Sequence, residues 1–317
     1  MLLRSLPDLT SASGEFRQRF HAKWGRENCV VLGRSRRADF GPCTHTLSIR
    51  AAWGGTEYCH VGGRTLGIDD DCFLILNHGR VYSTSIHAPW PVQSLSICFR
   101  PGLVEETAAA LTRTLDQALD DGTALEGALP GFAENLQPHN KLVSPVLRFI
   151  KVHLLQGVDD EAWYEEQLQF LLERMQAHRA RALRRADELR LMCPARRREL
   201  FRRIALATDF LQTNYARALD LDEVARVACL SKYHFLRLFT RVHGITPVAY
   251  LQRKRSAVAA RLLQTTQLTV NEVASSVGFP ERTTLLRQIR RWTGFSPRQL
   301  REARIPRRLP RPVVTVD

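Results

Sequence analysis

LDLDEVARVACLS, from Leu219 to Ser231, recurs 49 residues later as LTVNEVASSVGFP, from Leu268 to Pro280, and each copy leads through a basic stretch to a glycine, GITPVAYL at Gly244 and GFSPRQLR at Gly294. Leu221, Val224, Ala225 and Ala228 correspond to Val270, Val273, Ala274 and Val277. Apolar residues at i, i+3, i+4 and i+7 mark a helix with one face to bury. Asp220 with Glu223, and Thr269 with Glu272, have capping-box spacing: the first side chain accepts from a backbone N–H three residues on and the glutamate reaches back. Both helices are expected to start at equivalent points, and the small Ala225 and Ala274 let the next helix approach closely.

That next helix is predicted to begin near Ser231, a natural N-cap. In SKYHFLRLFTRVHG, Phe235, Leu238, Phe239 and Val242 face inward and Tyr233, Leu236, Arg237, Thr240 and Arg241 outward. In ERTTLLRQIRRWTG, Leu285, Ile289 and Trp292 face inward, leaving Arg282, Thr283, Leu286, Arg287, Arg290 and Arg291 outside. Thr246 before Pro247 and Ser296 before Pro297 are the cap and first-turn signature of a further helix. The helix from Pro247 to about Gln264 contains no Gly or further Pro and links the copies at a fixed spacing. Two such readers suit successive major-groove faces, about 34 Å apart.

Charge points the same way. From Arg196 to Arg308 stand 23 Lys and Arg against 8 Asp and Glu, a net of +15, whereas residues 1 to 195 carry 22 against 23. The basic excess belongs to the duplicated region, and a phosphate backbone rewards it through counterion release. An arginine-rich solvated surface, RNA or an anionic membrane would explain charge alone, but not a duplicated helix, turn and helix.

The stretch from about Glu199 to Arg301 resembles the AraC/XylS family of bacterial transcription regulators, through LSKYHFLRLFTRVHGITPVAYL, VNEVASSVGF and GFSP at their separation. The resemblance implies an N-terminal domain, often a cupin-like β-barrel, that senses a ligand and helps dimerise. It also implies base contacts from Tyr233, Leu236 and Arg237 in the first reading helix, and from Arg282, Thr283, Leu286 and Arg287 in the second. The remaining outer positions, Lys232, Thr240, Arg241, Arg290 and Arg291, are expected on phosphates. Arg237 and Arg287 suit guanine through their fork, with phosphate clamping as the alternative. Leu236 and Leu286 are either thymine-methyl contacts or exposed apolar residues. Tyr233 has the alternative of packing at its helix start, and His234 and His243 are expected at the surface or facing phosphate. Three features depart from the family pattern: Pro280, compatible with the first turn of the second reading helix, Gln288 at an apolar position, and Thr284 with Leu285 for an aromatic pair. The last two are expected to loosen that helix or alter its docking.

The N-terminal region reads as β-structure. CVVLG, THTLSIRAAW, TEYCHV, CFLILN, RVYSTSIH and VQSLSICF lie between Cys29 and Arg100, separated by Gly, Pro, Asn and Asp. About seven short strands of this kind form a sandwich or a barrel with a cavity. From Gly102 the pattern turns helical, through GLVEETAAALTRTLDQALD, Lys141 to Gln156, and Ala162 to about Leu191, with Asp159 and Asp160 as caps. The fold class expected is therefore α+β: a cupin-like β-barrel over about 29 to 100 with flanking helices at 102 to 190, then an all-α domain over 191 to 305 with two helix-turn-helix units, and a loose tail at 306 to 317. RALRRADELRLMCPARRREL, from Arg181 to Leu200, is the expected hinge.

Cys43, Cys59, Cys72 and Cys98 with His45, His60, His78 and His87 crowd these strands, and Cys43 with His45 would share a strand face. No CxxC pair or HxH with a nearby Glu accompanies them, so core packing is the first reading and a thiol or metal sensor the second. No nucleophile, phosphate-loop or dinucleotide spacing is present. The chain reads as a non-enzyme without cofactor or metal. With seven cysteines in 317 residues, no disulfide framework and no run of 18 apolar residues, it is expected in the cytoplasm without membrane partners. Altogether the sequence predicts a ligand-responsive, sequence-specific regulator, an activator that binds double-stranded DNA as a homodimer and answers a small-molecule effector, with RNA polymerase as a further partner. A redox or metal sensor, or a cupin-type enzyme fused to a DNA-binding domain, is the alternative.

Overall fold

The computed structural model describes residues 1–6, 18, 23, 25–108, 131–188 and 194–302. The chain divides into two compact units, Met1–Met192 and Cys193–Asp317.

The first unit has β1 (Leu2–Leu3), β2 (Cys29–Thr44), β3 (Ser48–Trp53), β4 (Glu57–Val61), β5 (Arg64–Ile68), β6 (Cys72–Leu76), β7 (Val81–Cys98) and β8 (Leu136–Pro138), followed by α1 (Ser144–Leu155) and α2 (Glu161–Glu188). The strands make one sheet in the order β1-β2-β7-β3-β6-β8, with β4 on β7 and β5 on β4. It is open along this path among the described strands. β7 is its spine: β2 pairs along one side, while β3 takes the end at Gln93 to Cys98 and β4 the start at Tyr82 to Ser85 on the other.

Both faces are covered where β3 and β6 lie, which is why β6, CFLIL, reads as a continuous apolar run. Ile49, Ala51, Phe73, Ile75, Leu95 and Ile97 pack against Leu147 and Ile150 of α1 and Leu168, Leu171 and Leu172 of α2. Ala52, Cys59, Leu66, Ile68, Leu74, Leu76, Ile86 and Val92 line the other face. That face also holds a buried ion pair. Arg50 Nη2 donates to Glu57 Oε1 at 2.5 Å and its Nη1 to Ser96 Oγ at 3.0 Å, while Ser94 Oγ donates to Glu57 Oε2 at 2.8 Å. In a low-dielectric interior such a pair is sustained only by further hydrogen bonds of this kind.

Several expectations need correction. β7 runs unbroken through APWP, where two separate strands are predicted. Its partners jump from Arg37↔His87 to Ser35↔Val92, so Pro89 and Pro91 fall at an irregularity where a missing N–H breaks no ladder bond. β5 is missing from the sequence prediction, although Gly62 (φ 56°) and Gly63 (φ 72°) form a tight turn that only glycine-like residues favour and register Val61 against Arg64. Cys43 and His45 do not share a strand, because β2 ends at Thr44; both lie instead beside Tyr82. Asp160 caps α2, accepting from Trp163 N at 3.0 Å, whereas Asp159 pairs with Arg4 at 2.5 Å. Residues 103–108 are helical. The rest of the expected 102 to 122 helix, part of the expected hinge and the tail from 306 lie outside the described residues.

Among the described residues the regular elements of the second unit are all helices: α3 (Pro194–Thr213), α4 (Leu221–Val227), α5 (Lys232–His243), α6 (Pro247–Thr265), α7 (Val270–Ser276), α8 (Arg282–Thr293) and α9 (Pro297–Glu302). Val224, Ala225, Ala228, Phe235 and Phe239 share one core with Ile204, Ala207 and Leu211 of α3. In the second copy Val273, Ala274, Val277, Leu285 and Ile289 are buried in the matching places.

Candidate nucleic-acid interface

Each copy is a short helix, a tight turn and a longer basic helix. α7 begins with the complete capping box: Glu272 N donates to Thr269 Oγ1 at 3.2 Å and Thr269 N to Glu272 Oε2 at 2.6 Å. α4 does not. Asp220 accepts from Asp222 N at 3.3 Å, two residues on, and Glu223 is taken by Arg217 at 2.6 Å. The arginine outcompetes the backbone N–H for the same carboxylate, so the predicted box forms only once.

The turns match in conformation but not in residue. Cys229 holds φ 51° where the second copy has Gly278 at φ 81°. Ser231 then caps α5, its hydroxyl accepting from His234 N at 3.4 Å. The second copy carries one more residue here. Pro280 lies before the cap, not in the first turn, and the N-cap is Glu281, whose side chain makes no capping bond. From that point the copies align fifty apart, so that Arg237 matches Arg287 and Gly244 matches Gly294, both glycines being left-handed C-caps.

The outward residues lie where the sequence predicts. Tyr233 is 77% exposed. Arg237, Arg241, Arg282, Thr283, Arg287, Arg290 and Arg291 are also exposed, and Leu236, Thr240 and Leu286 are half-buried beside them. Among the described residues Arg237, Arg241, Arg282, Arg287 and Arg290 have no carboxylate partner. Three nearby acids pair with other arginines: Glu199 with Arg202 and Arg203, Glu223 with Arg217, and Glu302 with Arg298. Two faces are thus left with uncompensated guanidinium groups, the donor forks that phosphates and guanine edges accept. Lys232 differs, its ammonium lying 2.9 Å from Asp222, and Arg291 lies against the Trp292 ring.

Gln288, 5% exposed, lies in the core and accepts from Trp292 Nε1 at 3.2 Å. His243 is not at the surface: its Nε2 is 2.9 Å from Thr208 Oγ1 and its ring lies 4.3 Å from that of Phe239. Burial lowers its pKa to about 4, so it is neutral at pH 7 and offers no charge to phosphate. His234 is exposed.

Sequence reasoning passes over Arg255. This α6 residue, 9% exposed, donates from Nε to Tyr215 O at 2.7 Å and from Nη2 to Arg217 O at 2.8 Å, and its guanidinium lies over the Phe279 ring. It ties the loop leading into the first copy to the turn of the second. Gly278 belongs to the same contact, since a Cβ there would come within 2.3 Å of Ala216 O.

In the first unit, burial pushes the Cys59 thiol up to about 12 and the Cys98 thiol up to about 11, leaving little thiolate at neutral pH. Among the described residues no group of three or more His, Cys, Asp or Glu is placed to hold a metal ion, and no helix is long and apolar enough to cross a membrane.

The helix-turn-helix domain family matches residues 224–303. The HTH-type transcriptional activator AarP of Providencia stuartii is 30% identical over 88 residues, covering 28% of this chain and 65% of that protein. The HTH-type transcriptional regulator AlkR of Acinetobacter baylyi is 33% identical over 82 residues, covering 26% and 27%. Among solved structures, the DNA-binding domain of AdpA in complex with a target DNA is 31% identical and covers 32% of this chain and 90% of that one, with a TM-score of 0.31. A probable AraC family transcriptional regulator from Rhodopseudomonas palustris is 24% identical, with a TM-score of 0.31, and covers 33% and 98%. This chain thus spans from about a quarter to just under two thirds of the length of these curated relatives. The C-terminal unit thus carries a helix-turn-helix domain over residues 224–303, similar to the matching regions of these transcription regulators.

Proposed function

We propose that the whole chain is a sequence-specific transcription regulator that places α5 and α8 in neighbouring major-groove segments of duplex DNA. The observation that carries this reading is the pair of matching faces, each with guanidinium groups free of carboxylates and joined through Arg255. Tyr233, Leu236 and Arg237 read bases in one half of the site, and Arg282, Thr283, Leu286 and Arg287 in the other; Lys232, Thr240, Arg241, Arg290 and Arg291 bind phosphates. Lys232 exchanges Asp222 for a phosphate on docking.

The unit Met1–Met192 is the receiving and dimerising half, with the sheet cupin-like in plan. An effector is received at its inner face, where Arg50, Glu57, Ser94 and Ser96 meet; Arg50 Nε and Ser48 Oγ are buried there without a hydrogen-bond partner among the described residues. This site is polar, in contrast to the apolar cavity usual for small-molecule pockets. Activation through RNA polymerase follows the activator names of the relatives, and a cytoplasmic setting follows from the target.

The test is selection of binding sites from a randomised duplex library with the full-length protein, followed by titration of Arg237→Ala on the operator, its single-base variants and random duplex. Loss of a bidentate contact should weaken operator binding by about 1 to 3 kcal/mol and relax preference at one base pair. Equal weakening on every sequence would refute base reading at Arg237.

A further inference from the structure

The extra residue in the second copy has put an acid at the mouth of a basic reading helix. Glu281 stands at the N-cap of α8, where Ser231 stands in α5, yet it makes no capping bond. Its Oε2 accepts from Thr283 Oγ1 at 3.0 Å. Thr283 is itself one of the base-reading positions proposed above. Glu281 is exposed and, among the described residues, forms no ion pair with Arg282, Arg287, Arg290 or Arg291 of the helix it opens. Glu199, Glu223 and Glu302 hold arginines, Asp222 a lysine and Glu272 a helix start. Glu281 holds only a hydroxyl on the outer face.

A carboxylate carried toward DNA is repelled by the phosphates. It is tolerated where it meets a donor, and in the major groove cytosine presents its N4 amino group, which Glu accepts from. The Thr283 hydroxyl, by donating to one carboxylate oxygen, fixes the side chain and leaves the other oxygen free to accept. We propose that Glu281 is a specificity-determining residue that reads the amino group of a cytosine in the second half of the site, with Thr283 as its positioning residue. The proposal rests on α8 entering the major groove.

The experiment is site selection from a randomised duplex library with the full-length wild type, Glu281→Gln, Glu281→Ala and Arg287→Ala, with a melting curve for each. The wild type should select cytosine at one position in the second half-site, by roughly 5- to 150-fold over other bases. Glu281→Ala should lose that preference while binding random duplex more tightly, and Glu281→Gln should move it toward adenine, whose N6 and N7 an amide pairs. A purely structural role at the helix start would instead lower the melting temperature and weaken all sequences alike, which overturns the proposal. If Arg287→Ala alters base preference and the Glu281 variants do not, groove docking stands and the reading of Glu281 falls. If none of the three alters it, both fall.

Discussion

Arg255→Met should uncouple the two readers while sparing each one's own core. The guanidinium makes two hydrogen bonds to carbonyls, at 2.7 Å to Tyr215 and 2.8 Å to Arg217, from a side chain 9% exposed. Hydrogen bonds from charged donors contribute about 1.5 to 3 kcal/mol each. Against that stands the burial of the charge, which lowers the pKa of this arginine from its ordinary value. Methionine relieves that burial and keeps the apolar stem against Phe279. The net loss expected is about 2 to 4 kcal/mol, or a melting temperature lower by roughly 8 to 30 °C in a unit of this size. Arg255→Lys, able to reach one carbonyl at a time, should fall between.

Stability alone would not identify a coupling residue, so the second readout is spacing. One base pair inserted between half-sites rotates one against the other by about 35°, since a helical turn takes about 10.5 base pairs. The wild type, with its copies tied at Tyr215, Arg217 and Phe279, should lose most of its operator affinity on insertion. Arg255→Met should bind the original operator less tightly but show a smaller penalty for the insertion. A variant that melts like the wild type, or keeps the full spacing penalty, refutes the coupling role.

Two further outcomes can be measured alongside. Gly278→Ala should destabilise the C-terminal unit by more than about 2 kcal/mol, because a left-handed alanine costs roughly 1 kcal/mol and its Cβ would meet Ala216 O; Cys229→Gly, at the matching position with φ 51°, should be neutral or stabilising by up to about 1 kcal/mol, and urea midpoints moving in the same direction for both would contradict this. His243 has its pKa lowered by burial from 6.5 to about 4, so the unfolded chain binds its proton more readily and stability should drop as pH falls from about 6.5 towards 4, by at most about 3 kcal/mol; His243→Phe should flatten that limb of a urea-midpoint series, and an unchanged slope assigns it to other groups.

What the sequence shows here is decided by range. The stripes of α4 and α7, the cap at Ser231 and the C-cap glycines are local devices, and local spacing predicts them. Arg255 stands in RKRS, which reads as a solvated face; only the loop at Tyr215–Arg217, forty residues away, makes it internal. Arg50 is alike, a charge in a strand otherwise fit for the core, whose partner Glu57 lies beyond the next turn. The capping box at Asp220 fails for the same reason in reverse, since Arg217 lies outside the four-residue pattern and takes Glu223. β7 was obscured by its prolines, because a proline breaks a ladder only where a bond is due. The Gly62–Gly63 turn is a local signal of a hairpin, and it pairs Val61 with Arg64.

The two copies also differ in a way that bears on how evenly they read. From sequence, Gln288, in a copy that also carries Pro280, is expected to loosen α8, which would make Arg287 the weaker reader. The fold removes the ground for that ranking. Gln288 takes the indole N–H of Trp292 one turn on, so that the pair Gln288 and Trp292 fills the space that Leu238 and Val242 fill in α5. A buried amide with its partner in place rigidifies a helix face, whereas the same amide beside a valine would be left unsatisfied and costly. Pro280 lies outside the helix, before its cap, and removes no helical hydrogen bond. With both inner faces complete and both C-terminal glycines left-handed, Arg287→Ala should therefore weaken operator binding by about as much as Arg237→Ala, each within the range of about 1 to 3 kcal/mol for a bidentate base contact. Gln288→Leu, which strands the indole N–H, is the change that should make the second reader the weaker one.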